Sequence, residues 1–448
     1  MPGSNAIGKS SVRRGKVVAI SFFKVGLSAT TSACDASEVK EGDLGGSTIM
    51  RGIGVSLLFV GALLTATGYG ATFLLTEHFR SLGGSEIETG KVLAGAMVGT
   101  FIGVPLIGWV GARFGGARLA AIGAVLVTAG YLLLAGVASL SNTIVIAGFM
   151  VGCGWGMFYL AAPMAVSERV SDLDRGFWFT RFGAFQMAGI GGGPALALFL
   201  VDTLGLSTAS LFRLLAFGCV CAAACLWAFE LTTPRPAQPH PGSTGAPRNW
   251  VTSIVPLAGT RAIYPILMVG IGACVFTGML TFQSSLARGS GLDASLYFTT
   301  YAAVVVVARF TLAPAINRAD GNRMSVLLLI LMSAGVLVYF AIGYGASVQV
   351  VSGILLGLGY GLVYTVIQTQ VVNDAPEAHR TGALTWFVVS YFIGIFGFPA
   401  IGGWLIVHWG TQAFLVVVLV CALAELALAL ARNRSRASSA AVLNAPRA

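Results

Sequence analysis

A glycine-rich pattern occurs twice in the sequence, and the two copies are 205 residues apart. Residues 148–159 read GFMVGCGWGMFY, and residues 353–364 read GILLGLGYGLVY. The same offset relates other landmarks of the chain: Arg113 and Arg318, Arg118 and Arg323, Arg175 and Arg380, Gly189 and Gly394, Pro194 and Pro399. Because one offset holds for such different residues, the sequence predicts two halves built on one plan.

The composition indicates that both halves lie in a membrane. Only 10% of the 448 residues are charged and 56% are hydrophobic, whereas about 25% of the residues of a soluble chain are charged. The mean hydropathy is +0.84, and apolar runs of about 20 residues, enough for a helix to cross a bilayer, recur along the chain. We therefore predict an all-α membrane protein with two pseudo-symmetric six-helix bundles.

Twelve apolar runs can be counted, six in each half. They cover residues 53–77, 91–112, 119–138, 143–166, 181–202, 209–230, 263–287, 294–316, 324–345, 347–372, 383–407 and 411–431. Residues 232–262 are rich in proline, glycine and serine, which is typical of a flexible linker. The predicted bundles are therefore residues 51–231 and 263–432.

The arginines predict the orientation of the chain. Most of them lie in connections on one side of the membrane, at positions 113, 118, 169, 175, 235, 248, 261, 318, 323, 380, 432, 434 and 436. The opposite connections hold little beyond Arg80 and Arg288. Because basic loops remain in the cytoplasm, both termini and the linker are expected there. The net charge of +10 therefore reflects topology, and no nucleic-acid partner is expected.

The two ends of the chain differ from the bundles in composition. Residues 1–50 are polar and rich in serine and glycine, and they read as an extension of the chain. Alternatively, the true start is Met50, because the sequence that follows it, RGIGVSLLF, opens like a first span. Residues 433–448 are predicted to form a basic cytoplasmic tail.

Nothing in the sequence indicates an enzyme, a metal site or a cofactor. Six of the seven cysteines lie inside apolar runs and read as small apolar residues. Cys221 and Cys225 lie one helical turn apart but have no histidine or methionine grouped with them, so metal binding is the weaker interpretation. The four histidines are scattered over loops and span ends, without a nucleophile to activate.

Several motifs give the chain its resemblance to a known family. Residues 108–118, GWVGARFGGAR, resemble the loop G-x-L-A-D-R-x-G-R-R between spans two and three of the major facilitator superfamily, although Ala112 stands in place of the aspartate. Residues 189–194, GIGGGP, are similar to the G-x-x-x-G-P motif of the family's antiporters, and residues 394–403 repeat it loosely. Gly148 stands where drug/proton antiporters often carry an arginine.

The resemblance implies a fold and an activity. It implies a transporter with spans 1, 4, 7 and 10 around a central cavity, similar to drug and metabolite efflux permeases. The antiporter motif implies proton-coupled export of a small organic molecule. The protein is expected to be a monomer in the plasma (inner) membrane. A proton-coupled uptake symporter is the alternative, and a channel is the alternative from another class.

Candidate site residues follow from these expectations. Polar and aromatic side chains in the spans are candidates for contacting the substrate, with packing as the alternative for each: Tyr69, Thr72, Trp155, Tyr159, Gln186, Thr277, Gln283, Tyr301, Tyr360, Tyr364 and Gln368. Glu77, with His78 beside it, is the best candidate for a proton carrier, because ionisable groups inside spans are costly and usually functional. The alternative is an interfacial carboxylate that anchors the end of the helix.

A third set of residues is expected to act in hinging or gating. The set is Gly148, Gly152, Gly156, Gly189, Gly193, Pro194, Gly353, Gly357, Gly361, Gly394, Pro399, Arg113, Arg309 and Arg318. Glycines four residues apart form a flat stripe on a helix, on which neighbouring helices pack closely or slide. The stripes at 148–156 and 353–361 are expected to face each other across the translocation path. Tight packing alone is the alternative.

Overall fold

A computed structural model describes residues 52–137, 139–171, 174–233 and 254–443. The six spans of the first half, numbered 1 to 6, are Ile53–Ser81, Glu86–Phe114, Gly116–Ala135, Thr143–Ser167, Arg175–Leu204 and Thr208–Thr232. Span 1 contains a 3-10 turn at Ala71–Leu74. The extension 1–50 and residues 234–253 of the predicted linker lie outside the described ranges.

The second half repeats this order. Spans 7 to 10 are Ile263–Thr281, Ser295–Thr311, Gly321–Tyr339 and Ala346–Asp374, with short helices at Ile254–Ala258, Gln283–Arg288 and Ala313–Arg318 and 3-10 turns at Ile342–Tyr344 and Glu377–His379. Span 11 begins as the helix Arg380–Phe392 and continues through a π-helical turn, Ile393–Gly397, into the helix Phe398–Leu443. That last helix breaks at Gly410, where φ is 81°, and span 12 follows the break.

These helices account for the predicted number of spans. Ten helical segments of the described residues are long and apolar enough to cross a membrane. Ser295–Thr311 is a shorter apolar helix, and the break at Gly410 divides the longest segment into two. The described residues therefore hold twelve apolar helical segments that correspond to the twelve predicted runs, and the prediction of an all-helical membrane fold is confirmed. The predicted tail begins as a continuation of span 12 up to Leu443.

Glycines allow spans 2 and 4 to touch backbone to backbone. A Cβ atom on Gly148 or Gly152 would overlap the carbonyl oxygens of Val92 and Ala96, and one on Gly99 would meet the backbone of span 4. Only a hydrogen atom at these positions permits such an approach. Both helices belong to the first half, so this stripe fixes the packing inside one bundle.

The second stripe also stays inside its own half. Gly353 and Gly357 pack against span 8 at Thr300 and Val304, and Gly361 packs against Val305 of the same helix. The expectation that the two stripes face each other is therefore wrong. The periodicity places these glycines on one face of the helix, but it does not say which neighbour covers that face.

Two pairs of helices hold the halves together, span 2 with span 11 and span 5 with span 8. A Cβ on Gly90 of span 2 would lie 2.8 Å from the Cα of Ala400 in span 11. In the other pair, a Cβ on Gly191 would lie 2.9 Å from the Cβ of Ala302. Because the two pairs exchange under the internal repeat, the boundary between the halves has the same pseudo-twofold symmetry as the sequence.

Spans 5 and 11, which carry Pro194 and Pro399, use glycines in a similar way within each half. Gly189 of span 5 packs against the carbonyl oxygen of Leu63 in span 1, and Gly394 of span 11 packs against that of Gly270 in span 7. Proline removes a backbone donor from a helix, and the π-helical turn that precedes Pro399 marks the resulting irregularity in span 11.

One end of the molecule carries a buried ion pair in each half. In the first half, Arg169 at the end of span 4 pairs with Glu230 at the end of span 6, and the Arg169 side chain is fully buried. In the second half, Asp374 at the end of span 10 accepts a hydrogen bond of 2.6 Å from Arg432 in span 12. Arg169 and Asp374 are one repeat apart, so they occupy equivalent positions in the two halves. The ion pair at this position is therefore built with a basic residue in the first half and an acidic residue in the second. We refer to this end as the basic-loop end.

Candidate substrate cavity

A cavity of about 320 Å³ lies between the two halves. Its walls come from spans 4, 5, 7, 8, 10 and 11, and the lining residues include Tyr159, Pro163, Phe179, Thr180, Phe182, Gly183, Gln186, Met187, Phe276, Arg309, Ile316, Tyr360, Tyr364, Thr365, Gln368 and Tyr391. Thr180, Thr365 and Gln368 are exposed and lie near the ends of their spans at the basic-loop end. The cavity is therefore reached from that end.

The walls of the cavity are largely aromatic. The hydroxyls of Tyr159 and Tyr364 form a hydrogen bond across the two halves. Tyr391 stacks on Tyr159 with ring centroids 5.4 Å apart, and Tyr360 stacks on Phe276 at 4.5 Å. Aromatic rings with a polar group at one end suit amphipathic organic molecules.

A layer of tightly packed rings closes the cavity above these walls. Tyr69 of span 1 stacks on Trp155 of span 4, with ring centroids 4.3 Å apart. Phe73 meets Phe276 of the other half edge to face at 5.8 Å, and Tyr69 meets Phe396 in the same way at 6.0 Å. Because rings from both halves interlock here, this layer blocks the path toward the opposite end.

Beyond this layer, polar contacts seal the opposite end. The Thr76 hydroxyl donates to the carbonyl oxygen of Thr281 at 3.3 Å. Arg80 pairs with Glu86, and Ser285 from the other half donates to Glu86 at 2.7 Å. The protein is therefore in a conformation that is open at the basic-loop end and closed at the other.

Glu77 is part of this seal. The Arg288 guanidinium, from the other half, donates to both carboxylate oxygens of Glu77 at 2.7 and 2.6 Å. The Arg288 side chain is 50% exposed and that of Glu77 is 35% exposed, so the pair is a surface bridge, worth at most about 1 kcal/mol. Its neighbour His78 is buried elsewhere, bonded to Thr208 at 2.9 Å and to the carbonyl oxygen of Leu134 at 3.2 Å.

Residues that are equivalent in the two halves touch each other at three levels. These contacts are Thr76 with Thr281, Arg80 with Ser285, and Tyr159 with Tyr364, and each pair is separated by 205 residues. A residue can contact its own counterpart only near the axis that relates the halves. The repeat therefore marks the pseudo-twofold axis in space, from the seal down to the cavity.

Five of the predicted substrate-contacting residues line the cavity: Tyr159, Gln186, Tyr360, Tyr364 and Gln368. The other six do not line it in this conformation. Tyr69 and Trp155 lie in the ring layer, and Tyr301 is buried in span 8.

The remaining three predicted residues form hydrogen bonds with groups that do not line the cavity. Thr72 donates to the carbonyl oxygen of Tyr69, Thr277 donates to that of Ile395, and Gln283 donates to the hydroxyl of Tyr339. Hydroxyls in spans often bond to nearby backbone in this way, so a polar side chain in a span is not by itself a sign of a binding site.

The charged residues expected to act as gates are divided between two places. Arg113 and Arg318 are exposed at the ends of their helices, at the basic-loop end. Arg309 instead lies in the cavity wall, with a guanidinium nitrogen 3.0 Å from the position that a Cβ on Gly183 would occupy. Among the lining residues, Arg309 is the one charged side chain.

Sequence reasoning missed two groups of residues. The aromatic residues Phe179, Phe182 and Phe276 line the cavity, but phenylalanine is common throughout these spans and gave no signal. Ser285 and Arg288 seal the opposite end. A signal existed for Arg288, because it and Arg80 are nearly the sole basic residues in the connections at that end.

Two helical halves enclose a central cavity that is open at one end, which is the arrangement that the sequence resemblance implies. A sequence model of the Major Facilitator Superfamily matches residues 57–396 and 287–447. The chain belongs to this family, so the predicted family and the non-enzymatic function are confirmed. Membership implies a membrane environment.

Curated relatives cover only part of the chain. An uncharacterized MFS-type transporter of Pseudomonas aeruginosa (strain UCBPP-PA14) is 27% identical over 169 residues, which is 37% of this chain and 41% of the relative. A relative from strain LESB58 of the same species matches over the same length. The chain therefore matches less than half the length of these relatives.

Solved structures share the fold over most of the chain. A mutant of the nucleoside transporter NupG is similar with a TM-score of 0.67 at 14% identity, over 86% of this chain and 99% of that one. The POT family transporter PepTSo is similar with a TM-score of 0.64 at 13% identity, over 86% and 98%. At such identities the likeness establishes the fold.

Proposed function

We propose that this chain is a secondary transporter that exports a small organic molecule in exchange for protons by alternating access. It acts as a monomer in the plasma (inner) membrane. The observation that supports this proposal most is the cavity between the halves, reached from the basic-loop end and sealed from the other by contacts that cross the boundary. Rocking of the halves would exchange the open and closed ends around a fixed site.

The charge of the loops supports a cytoplasmic opening of the cavity, and a sequence motif supports export. Because basic loops remain in the cytoplasm, the conformation described above faces the cytoplasm and is ready to load substrate there. The sequence GIGGGP at residues 189–194 supports export, by its similarity to the antiporter motif. Its first glycine packs on span 1 and Gly191 packs on span 8, so the motif lies where span 5 meets the other half, and in the proposed cycle span 5 moves against that half there.

Protonation of Glu77 is the proposed coupling step. In the closed seal, its carboxylate binds Arg288 across the boundary. A proton on Glu77 would remove the charge that holds Arg288, and the opposite end would open more easily. Because the pair is half-exposed, the gain is a modest bias of the equilibrium and not a lock.

Transport in vesicles tests the proposal. The full chain is expressed, inverted membrane vesicles carrying a pH-sensitive dye are energised, and drugs, sugars, amino acids and organic acids are added in turn. A compound that collapses the proton gradient with export polarity, and that shows saturable counterflow, is expected. Proton-driven uptake into right-side-out vesicles would favour a symporter, and flux without saturation would favour a channel.

The role of Glu77 is tested separately by Glu77→Gln, with Arg288→Gln as the matched control. Both variants break the same bridge, but only the first removes the carboxyl group. We expect Glu77→Gln to lose proton-driven transport while keeping counterflow. Arg288→Gln should also keep counterflow but weaken the proton coupling, because the Glu77 carboxyl group can still bind a proton but no longer holds Arg288. If Glu77→Gln retains proton-driven transport, the carrier is another group.

A further inference from the structure

The cavity holds hydrogen-bond donors that the protein leaves without acceptors. Nε of Arg309 and Nε2 of Gln186 are both buried and have no hydrogen-bond partner among the described residues. Gln186 is 7% exposed, and both residues line the cavity. A buried donor without an acceptor costs free energy of about 1–3 kcal/mol, so these donors indicate where a ligand supplies acceptors.

The electrostatics of the cavity point in the same direction. Its lining residues include no aspartate, glutamate or lysine, and Arg309 is the one charge on the walls. The described residues place no carboxylate within ion-pair distance of Arg309. The positive charge of the guanidinium is therefore available to bind an anionic group of a ligand in the cavity.

Local packing holds this guanidinium between the halves. Arg309 belongs to span 8, and the glycine at 183 in span 5 provides the space that it occupies. Gln186 lies one turn further along span 5, on the same face. A ligand that binds both residues would connect the two halves at the helix pair along which they meet.

We propose that the substrate of this transporter is an organic anion with an aromatic or similarly flat apolar body, whose carboxylate binds Arg309 and Gln186. The planar guanidinium presents paired donors that match a carboxylate. The apolar body lies against the rings of Tyr159, Tyr360 and Tyr391. This inference rests on the proposed function, because it names the substrate class of the same cavity.

Binding to the purified full-length protein in detergent tests the substrate class without a proton gradient. Three probes share one ring system: naphthalene-1-carboxylate, its neutral carboxamide and the cation 1-naphthylmethylammonium. Affinities are measured by the change in fluorescence polarisation of the naphthalene group. We expect the wild type to bind the carboxylate at least tenfold more tightly than the carboxamide, and the cation more weakly still.

Substitutions test whether Arg309 is responsible for the preference for the carboxylate over the carboxamide. Arg309→Gln should weaken carboxylate binding at least tenfold and leave carboxamide binding within threefold. Arg309→Lys should reduce the preference partly, because it keeps the charge and loses the paired donors. Gly183→Ala keeps both residues but places a methyl group against the guanidinium, and should also reduce the preference. Arg213→Gln, at an exposed arginine of span 6, is the matched control and should change nothing.

Several results would overturn the proposal. The first is that the wild type does not bind the carboxylate. The second is that the wild type binds the carboxamide or the cation as tightly as the carboxylate. The third is that Arg309→Gln keeps the preference for the carboxylate. If Arg309→Gln does not fold, an unchanged preference in both Arg309→Lys and Gly183→Ala overturns it equally. Failure of the transport proposal looks different: the carboxylate binds with the expected preference, but vesicles show no saturable counterflow of it.

Discussion

Gly90 offers a way to open the sealed end without altering the cavity or any charged group. It lies in span 2 against span 11 of the other half, and a Cβ there would sit 2.8 Å from the Cα of Ala400 and 3.0 Å from the carbonyl oxygen of Pro399. Carbon atoms in contact lie about 3.5–4.0 Å apart. An alanine at this position therefore requires the helices to separate by about 1 Å, and a tryptophan by considerably more.

The size of the effect follows from the cost of overpacking. Inserting atoms into a well-packed boundary costs about 1–3 kcal/mol, and Gly90→Trp imposes that cost on the closed seal alone. The ratio of closed to open molecules should then fall by roughly 5- to 150-fold, since 1.4 kcal/mol is a factor of ten. The bridge between Glu77 and Arg288 does not offset this, because exposed pairs contribute at most about 1 kcal/mol.

The assay is thiol labelling at the seal. Ser285, which is 7% exposed, is replaced by cysteine in a background without the native cysteines, and its rate of reaction with a maleimide is measured in detergent. We expect Gly90→Trp to raise that rate by at least fivefold. Gly136→Trp is the matched control, because Gly136 is an exposed residue in the connection after span 3, with its nearest neighbour atom at 3.5 Å. A folded Gly90→Trp protein with an unchanged rate would show that the close contact between Gly90 and Ala400 does not hold the seal closed.

Three further outcomes are expected, each checked by thermal or chemical unfolding in detergent. Arg169→Met should destabilise the protein by about 3 kcal/mol, because it leaves the buried Glu230 with one remaining, more exposed arginine; a loss under 1 kcal/mol would contradict this. Gly152→Leu should destabilise by more than about 3 kcal/mol, since its side chain meets the backbone of span 2, whereas Gly218→Leu, at a glycine with open space around it, should have little effect. Tyr159→Phe should cost about 1 kcal/mol for one lost hydrogen bond, and equal stability would show that the bond contributes nothing.

The internal repeat allowed the fold to be predicted from the sequence. Apolar runs gave the spans, and the constant offset gave two equivalent halves. The same offset later identified the residues on the pseudo-twofold axis, because Tyr159 and Tyr364 meet there. Patterns of this kind can be read from the sequence because a helix keeps its residues in order and at a constant spacing.

The partners of each helix face could not be predicted in the same way. Gly152 was expected to face the other half and instead packs on span 2. A period of four residues defines a face on a single helix, whereas the neighbour of that face depends on how all twelve spans are arranged. The same limit applies to Gln283, whose amide bonds Tyr339 away from the cavity.

The candidate site was predicted in part. Tyr159, Tyr360 and Tyr364 belong to the repeated glycine-rich stretches, and all three line the cavity. Arg309 was expected to act as a gate and lies in the cavity wall. An arginine in a span signals function. Its depth, and the finding that no carboxylate of the described residues lies beside it, are visible only in three dimensions.

The most direct test of the account is a pair of distances across the two halves. Spin labels are placed at Arg113 and Arg318 at the basic-loop end, and at Ser139 and Tyr344 at the opposite end; all four residues are exposed. Comparing the wild type with Gly90→Trp, we expect the first distance to shorten while the second lengthens, as the halves rock about the cavity. Two distances that change in the same direction, or a change at one end alone, would contradict alternating access.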